Sequence, residues 1–154
     1  MTKKRLKTVR KSGGKSKRRK TARRRSEAPD PLFADIKGTQ QREIGRVRLD
    51  IGRAGAARVK RIVYPAGFRW SVDMKPIVGT DLCMHAHAGF LARGEIHVEY
   101  ADKCTVEYRA PQLVAIEPGH DGWVVGKEPA VLIEFDFESD TVGRLGMPDA
   151  HRHS

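Results

Sequence analysis

From residue 44 onward the sequence predicts an all-β domain, and three observations carry that expectation. Short runs rich in β-branched residues recur. Gly, Pro and Asp break them at intervals of about ten residues. The last run alternates: Val131, Ile133, Phe135 and Phe137 share one face, while Leu132, Glu134 and Asp136 share the other, as in a sheet with unequal sides. In chain order the runs place strands over 44–51, 57–64, 83–91, 96–100, 105–109, 113–116, 123–125 and 131–137. Pro65-Ala66-Gly67, Gly94-Glu95, Asp102-Lys103 and Glu117-Pro118-Gly119 supply turns between them. A sandwich or small barrel results.

The 154 residues hold one domain with appendages, since domains run to roughly 100–150 residues. Residues 1–26 contain 14 of the 30 Lys and Arg residues and no acid. The net charge of +11 is therefore unevenly spread, the remainder carrying 16 basic against 19 acidic groups, a net of −3. With only Met1, Leu6 and Val9 as sizeable apolar residues, 1–26 cannot offset the entropy of ordering, which predicts a disordered polybasic arm. Residues 27–43, with Pro29 and Pro31, read as a linker, 44–138 as the domain and 139–154 as a polar tail.

Lys17, Arg18, Arg19, Lys20, Arg23, Arg24 and Arg25 carry the densest charge. Such side chains pair with phosphates and release counterions, so the arm is expected to bind nucleic acid or other anionic partners without sequence preference; a solvated tail is the plain alternative. Aromatic residues do not interleave with them, so base stacking is not expected. No apolar run approaches the ~20 residues that span a bilayer, and the start lacks a secretory pattern, which predicts a cytoplasmic protein. Cys83 and Cys104 show no Cys-x-x-Cys spacing and are expected to be reduced thiols. Gly-rich phosphate loops, Gly-x-Ser-x-Gly elbows and paired-carboxylate signatures are absent.

His85 and His87 lie two apart, so on a strand they share a face with Cα atoms about 6.5 Å apart, a spacing that suits two ligands of one divalent transition metal. Cys83 has the same parity. The alternative is a set of neutral hydrogen-bonding groups lining a barrel interior. His120, in the turn after Pro118-Gly119, is placed to complete a three-histidine site, with Asp121 orienting its ring. His97 faces the other side of its strand, and His151 and His153 belong to the polar tail. Trp70, Phe90, Tyr108 and Trp123 are candidates for a pocket wall, with core packing as the competing role.

Gly79-x5-His85-x-His87, Gly94, and Ile116-Glu-Pro-Gly-His120-Asp-Gly-Trp-Val-Val-Gly126 together resemble the cupin superfamily over about residues 59–137. The resemblance implies a jelly-roll barrel, a small-molecule ligand and a homodimer. The family's usual site has three histidines and a glutamate, but Leu91 and Ala92 stand where that glutamate belongs. Counting back from Gly94 instead puts His87 in the glutamate position and Asp81 and Cys83 in the histidine positions. The second motif keeps Gly119, with Pro111, Glu117, Gly122 and Gly126 at its other places. Two ligand sets thus stand open: His85, His87 and His120, or Asp81, Cys83 and His87. The function expected first is a small-molecule-binding or regulatory domain. A metal-dependent oxygenase or isomerase is the second, and a nucleic-acid-associated sensor the third.

Overall fold

The β-branched runs pair as antiparallel strands that form two facing sheets in the computed structural model, which describes residues 29–153. The basic arm, including Lys17 to Lys20 and Arg23 to Arg25, lies outside the described residues. The strands are β1 (Gln40–Ile44), β2 (Val47–Ala54), β3 (Ala57–Tyr64), β4 (His87–Arg93), β5 (Glu95–Tyr100), β6 (Thr105–Arg109), β7 (Gln112–Ile116), β8 (His120–Val124) and β9 (Ala130–Asp136). One sheet runs β1-β2-β3-β9-β4-β7 and the other β6-β5-β8. Short helices α1 (Trp70–Asp73) and α2 (Lys75–Val78) follow β3, and α3 (Thr141–Leu145) follows β9. Among the described residues no helix is long and apolar enough to cross a membrane.

Several boundaries differ from the sequence reading. The run 44–51 is two strands: Gly45, at φ 57°, turns the chain, and Ile44 pairs with Val47. The segment 40–43, read as linker, is edge strand β1. Its side chains, Gln-Gln-Arg-Glu, are exposed and carry no apolar alternation to betray a strand. The run 83–91 becomes regular only at His87; Cys83 joins β8 by an isolated bridge to His120. His120 itself opens strand β8, because the turn ends at Gly119, whose φ of 90° favours glycine. The tail at 139–154 includes α3, and its His151 stacks on Tyr100 at 3.9 Å, so it is not merely solvated.

The two sheets enclose a core of Val98, Leu91, Leu132, Ile62 and Ile116, among others. Alternation then decides which charges go inside. On β9 the inner face is the one bearing Leu132, Glu134 and Asp136; both carboxylates are 0% exposed, whereas Phe135 on the outer face is 50% exposed. On β3, Arg58, Lys60 and Ile62 face inward and Arg61 outward. Arg61 is nonetheless buried: it donates twice to Asp50 Oδ2 (2.9 and 2.7 Å) and once to the Leu32 carbonyl (3.0 Å). Arg48 holds the same segment through the Phe33 carbonyl and Asp35, and Arg93 pairs with Asp30. The segment 30–35 is thus fastened across the outer face of the larger sheet.

Candidate metal centre and ligand cavity

Between the sheets lies a cavity of about 430 Å³. Its walls are apolar: Leu49 and Ile62 from the larger sheet, Ile96 and Val98 from the smaller, Phe68 from the β3–α1 connection and Trp70 from the start of α1. Val78 and Met84, both more than half exposed, border its rim. Its polar lining is gathered at Arg58, Lys60, Cys83, His85, His87 and His120.

The irregular segment before β4 and the first residue of β8 are tied by backbone bonds, Cys83 N–H to the His120 carbonyl (2.8 Å) and Gly119 N–H to the Cys83 carbonyl (2.8 Å). This clip brings Cys83 beside His120, and β4 starts by presenting His87 to both. Cys83, His87 and His120 are all buried, and one ligand atom from each lies within 4.8 Å of the others. His87 Nε2 is 3.7 Å from Cys83 Sγ, while its Nδ1 donates to Glu134 Oε2 at 2.7 Å. His120 Nδ1 donates to the Glu117 carbonyl at 2.7 Å, which leaves Nε2 as the nitrogen turned to Cys83.

Burial alone would push the Cys83 thiol up, but hydrogen bonds with His120 and His87 and their positive charge outweigh it and hold the thiol at about 5. His87 shows the converse. Burial opposes its imidazolium, yet the Glu134 charge and bonds to Cys83 and Glu134 raise it to about 10. Glu134 is desolvated too, and His87, His85 and Lys60 hold it well below the usual carboxylate range.

Beside this set sits a second one, His85, His87 and Glu134. Its centre is taken by the protein's own cation: the Lys60 ammonium pairs with Glu134 and Asp136 and is 3.0 Å from His85 Nε2. Arg58 closes on Asp136 through two bonds. His85 therefore turns to Lys60 and Glu134 rather than joining His120, because residues 83–86 do not keep strand parity. Asp81 is 97% exposed and paired with Lys75, away from both sets. Asp121 does not orient His120; it accepts from Arg69 and Ser71 instead, since neighbours on a strand point to opposite faces.

Of the wall candidates, Trp70 is buried against the cavity. Trp123 borders it, but its ring lies between His97, at 5.7 Å, and Arg69, at 4.5 Å. Phe90 is on the outer face of β4, and Tyr108 is a core residue bonded to the Ala115 carbonyl, so neither lines the cavity. The spacing analysis missed Lys60 and Glu134. The available signal was the pair of carboxylates, Glu134 and Asp136, sharing a face with Leu132.

No family model matches the chain, and no curated protein matches it. Solved structures do resemble it. The cupin domain of Schizosaccharomyces pombe Cnp3 is 13% identical, with 71% of this chain and 77% of that one covered and a TM-score of 0.45. A Cupin 2 conserved barrel domain protein from Salinispora arenicola is 12% identical (70% and 88% covered, TM-score 0.48). An RmlC-like cupin from Shewanella frigidimarina is 18% identical (67% and 86% covered, TM-score 0.45). Each of these likenesses falls below a TM-score of 0.5. Between the two sheets the Cys83, His87 and His120 cluster draws on both ligand sets open in the sequence: His87 from either, Cys83 from one and His120 from the other.

A divalent transition metal fits the Cys83, His87 and His120 donors. They offer one sulfur and two imidazole nitrogens, the type of set that binds zinc and similar ions. Each imidazole is steadied from behind by its other nitrogen, as metal-binding histidines usually are.

Proposed function

We propose that this chain is a small-molecule-binding cupin whose cavity holds a divalent transition metal on Cys83, His87 and His120. The observation that carries the reading is the way the two rings are turned: both Nδ1 atoms are committed, to Glu134 and to the Glu117 carbonyl, so both Nε2 atoms are left for an ion beside a thiol with strong thiolate character. When bound, the ion would supply a coordination position for a polar atom of the ligand and Lewis acidity at that atom. The chain's own groups do the rest. Glu134 fixes the His87 ring, Lys60 and Arg58 neutralise the buried carboxylates, and Phe68, Trp70, Ile96 and Leu132 receive an apolar body. A ligand with one polar head and a compact apolar remainder suits such a cavity, which is within the ~300–1,000 Å³ range of small-molecule sites.

A catalytic reading, of the oxygenase or isomerase class, draws on one further observation. His85 is about one-third exposed beside the cavity and is bonded to Lys60 and Glu134, a position from which it can exchange a proton with a bound molecule. Turnover lost in His85→Gln with metal content retained would favour it.

The metal is tested in a chain carrying Cys104→Ser, so that Cys83 is its only thiol. After matched loading with Zn, Fe, Mn or Ni, elemental analysis is expected to find one ion per chain. Cys83→Ala, His87→Ala and His120→Ala each lose it while remaining folded by circular dichroism, and His97→Ala and Asp81→Ala retain it. A folded parent that holds none of the four metals would overturn the reading.

A further inference from the structure

The cavity site leaves a second cluster unexplained, at the opposite end of Tyr100. Cys104 Sγ and one nitrogen each of His151 and His153 lie within 4.8 Å of one another. A carboxylate joins them: Asp102 Oδ2 is 2.9 Å from His153 Nε2. The turn between β5 and β6 sets up two of the four groups, since Cys104 N–H donates to Asp102 Oδ1 at 2.9 Å and Tyr100 N–H to the Cys104 carbonyl at 2.9 Å. The histidines come from the extended stretch that follows α3, two residues apart, with ring centroids 5.3 Å apart.

His151 points most directly to a ligand. Its ring is stacked on Tyr100 at 3.9 Å and 8°, which holds it in place without using either nitrogen. Both nitrogens are buried and neither has a hydrogen-bond partner. Glu117 Oε2 stands 3.6 Å from Nδ1, outside hydrogen-bond reach. Buried polar groups are nearly always satisfied, and a metal held together with the neighbouring thiol and imidazole would satisfy one of these two nitrogens. One sulfur and two nitrogens are donors of the type that zinc takes, and Asp102 holds the His153 ring by its Nε2.

We propose that Cys104, His151 and His153, with Asp102 supporting His153, form a second metal site of the zinc class that fastens the C-terminal segment to the β5–β6 turn. The site shares no ligand with the cavity centre and does not depend on it. Glu117 nonetheless touches both, its carbonyl taking the His120 Nδ1–H and its carboxylate accepting from Tyr100 Oη at 2.6 Å beneath the His151 ring.

The test is a Co2+ titration of the full chain carrying Cys83→Ser, which removes the cavity thiol. One equivalent is expected, with tetrahedral d–d bands and a thiolate-to-cobalt charge-transfer band. Cys104→Ser in that background should abolish the charge transfer, and Cys104→Ser or His153→Ala should weaken binding by about 100-fold or more, the outer limit for loss of a mere supporting group. In the unsubstituted chain, should Cys83→Ser fail to fold, Zn2+ should protect the Arg144 and Arg152 bonds from trypsin, and Cys104→Ser should remove that protection. Charge transfer unaffected by Cys104→Ser, or tail cleavage unaffected by Zn2+, would overturn the proposal. If the cavity reading alone is wrong, the unsubstituted chain binds a single equivalent that Cys104→Ser removes; if this proposal alone is wrong, the single equivalent is the one Cys83→Ser removes.

Discussion

In Glu134→Gln the side chain keeps its shape and loses its charge at the centre of the barrel. The carboxylate accepts from His87 at 2.7 Å and from His85 at 3.3 Å, and it pairs with Lys60, with no exposure to water. A glutamine can accept on one oxygen only, and its amide then faces a donor. Breaking a buried ion pair costs ~3–5 kcal/mol. Lys60 keeps Asp136 as a partner, which places the loss near the lower end, about 3 kcal/mol. In a domain of this size that lowers the melting temperature by roughly 10 °C. The His87 ring also loses its anchor, so metal affinity should fall by about 10- to 100-fold. Urea unfolding of the metal-free chain, with its slope unchanged, reads the first effect, and competition with a chelating dye reads the second. A loss under about 1 kcal/mol together with unchanged affinity would refute the assignment of Glu134 as the group that organises the inner cluster.

Burial opposes the ionisation of Asp136, but bonds from Arg58 and Lys60 hold its carboxyl at about 2, against an ordinary 3.8. A depressed value gives stability that is complete above the ordinary value and is lost as pH falls through the folded one, so the gap between wild type and Asp136→Asn should narrow by about 2 kcal/mol between pH 6 and pH 2, measured by urea unfolding. Gly89 permits the close approach of β4 to β9, since a Cβ there would meet the Ile133 carbonyl oxygen at 2.0 Å. Gly89→Ala should therefore cost about 3 kcal/mol or more by the same assay, and a neutral result would contradict the β4–β9 register. Removing residues 1–25 leaves a net charge of −3 and should abolish binding to duplex DNA or RNA. If the full chain contacts about six to ten phosphates, its affinity should drop by ~10³–10⁵ between 50 and 200 mM salt, as fluorescence anisotropy would show.

The strands β3, β5, β6, β7 and β9 were legible as short β-branched runs between turn residues. β1 was hidden because an edge strand with charged side chains on both faces leaves no such trace. At the site, His87 could be named because it begins a regular strand, whereas parity misled at His85, where the backbone has not yet settled into one. Cys83 and His120 meet through a backbone clip between segments nearly forty residues apart, and Glu134 arrives because β9 crosses to pair with β4, Gly89 opposite Glu134. Such non-local pairings leave no mark in motif spacing. The aromatic candidates show the same limit: size nominated Phe90 and Trp70 alike, and only the pleat puts one ring outside the barrel and the other against the cavity.

The clasp of Arg61 and Arg48 fixes segment 30–35 at one point of the larger sheet. That point is on the outside of the larger sheet, while the neighbouring inward residues, Lys60 and Ile62, face the cavity. Clasp and pocket are thus back to back across one sheet. A change in the clasp would reach the pocket through the backbone of β3, which carries Arg61 on one face and Lys60 and Ile62 on the other.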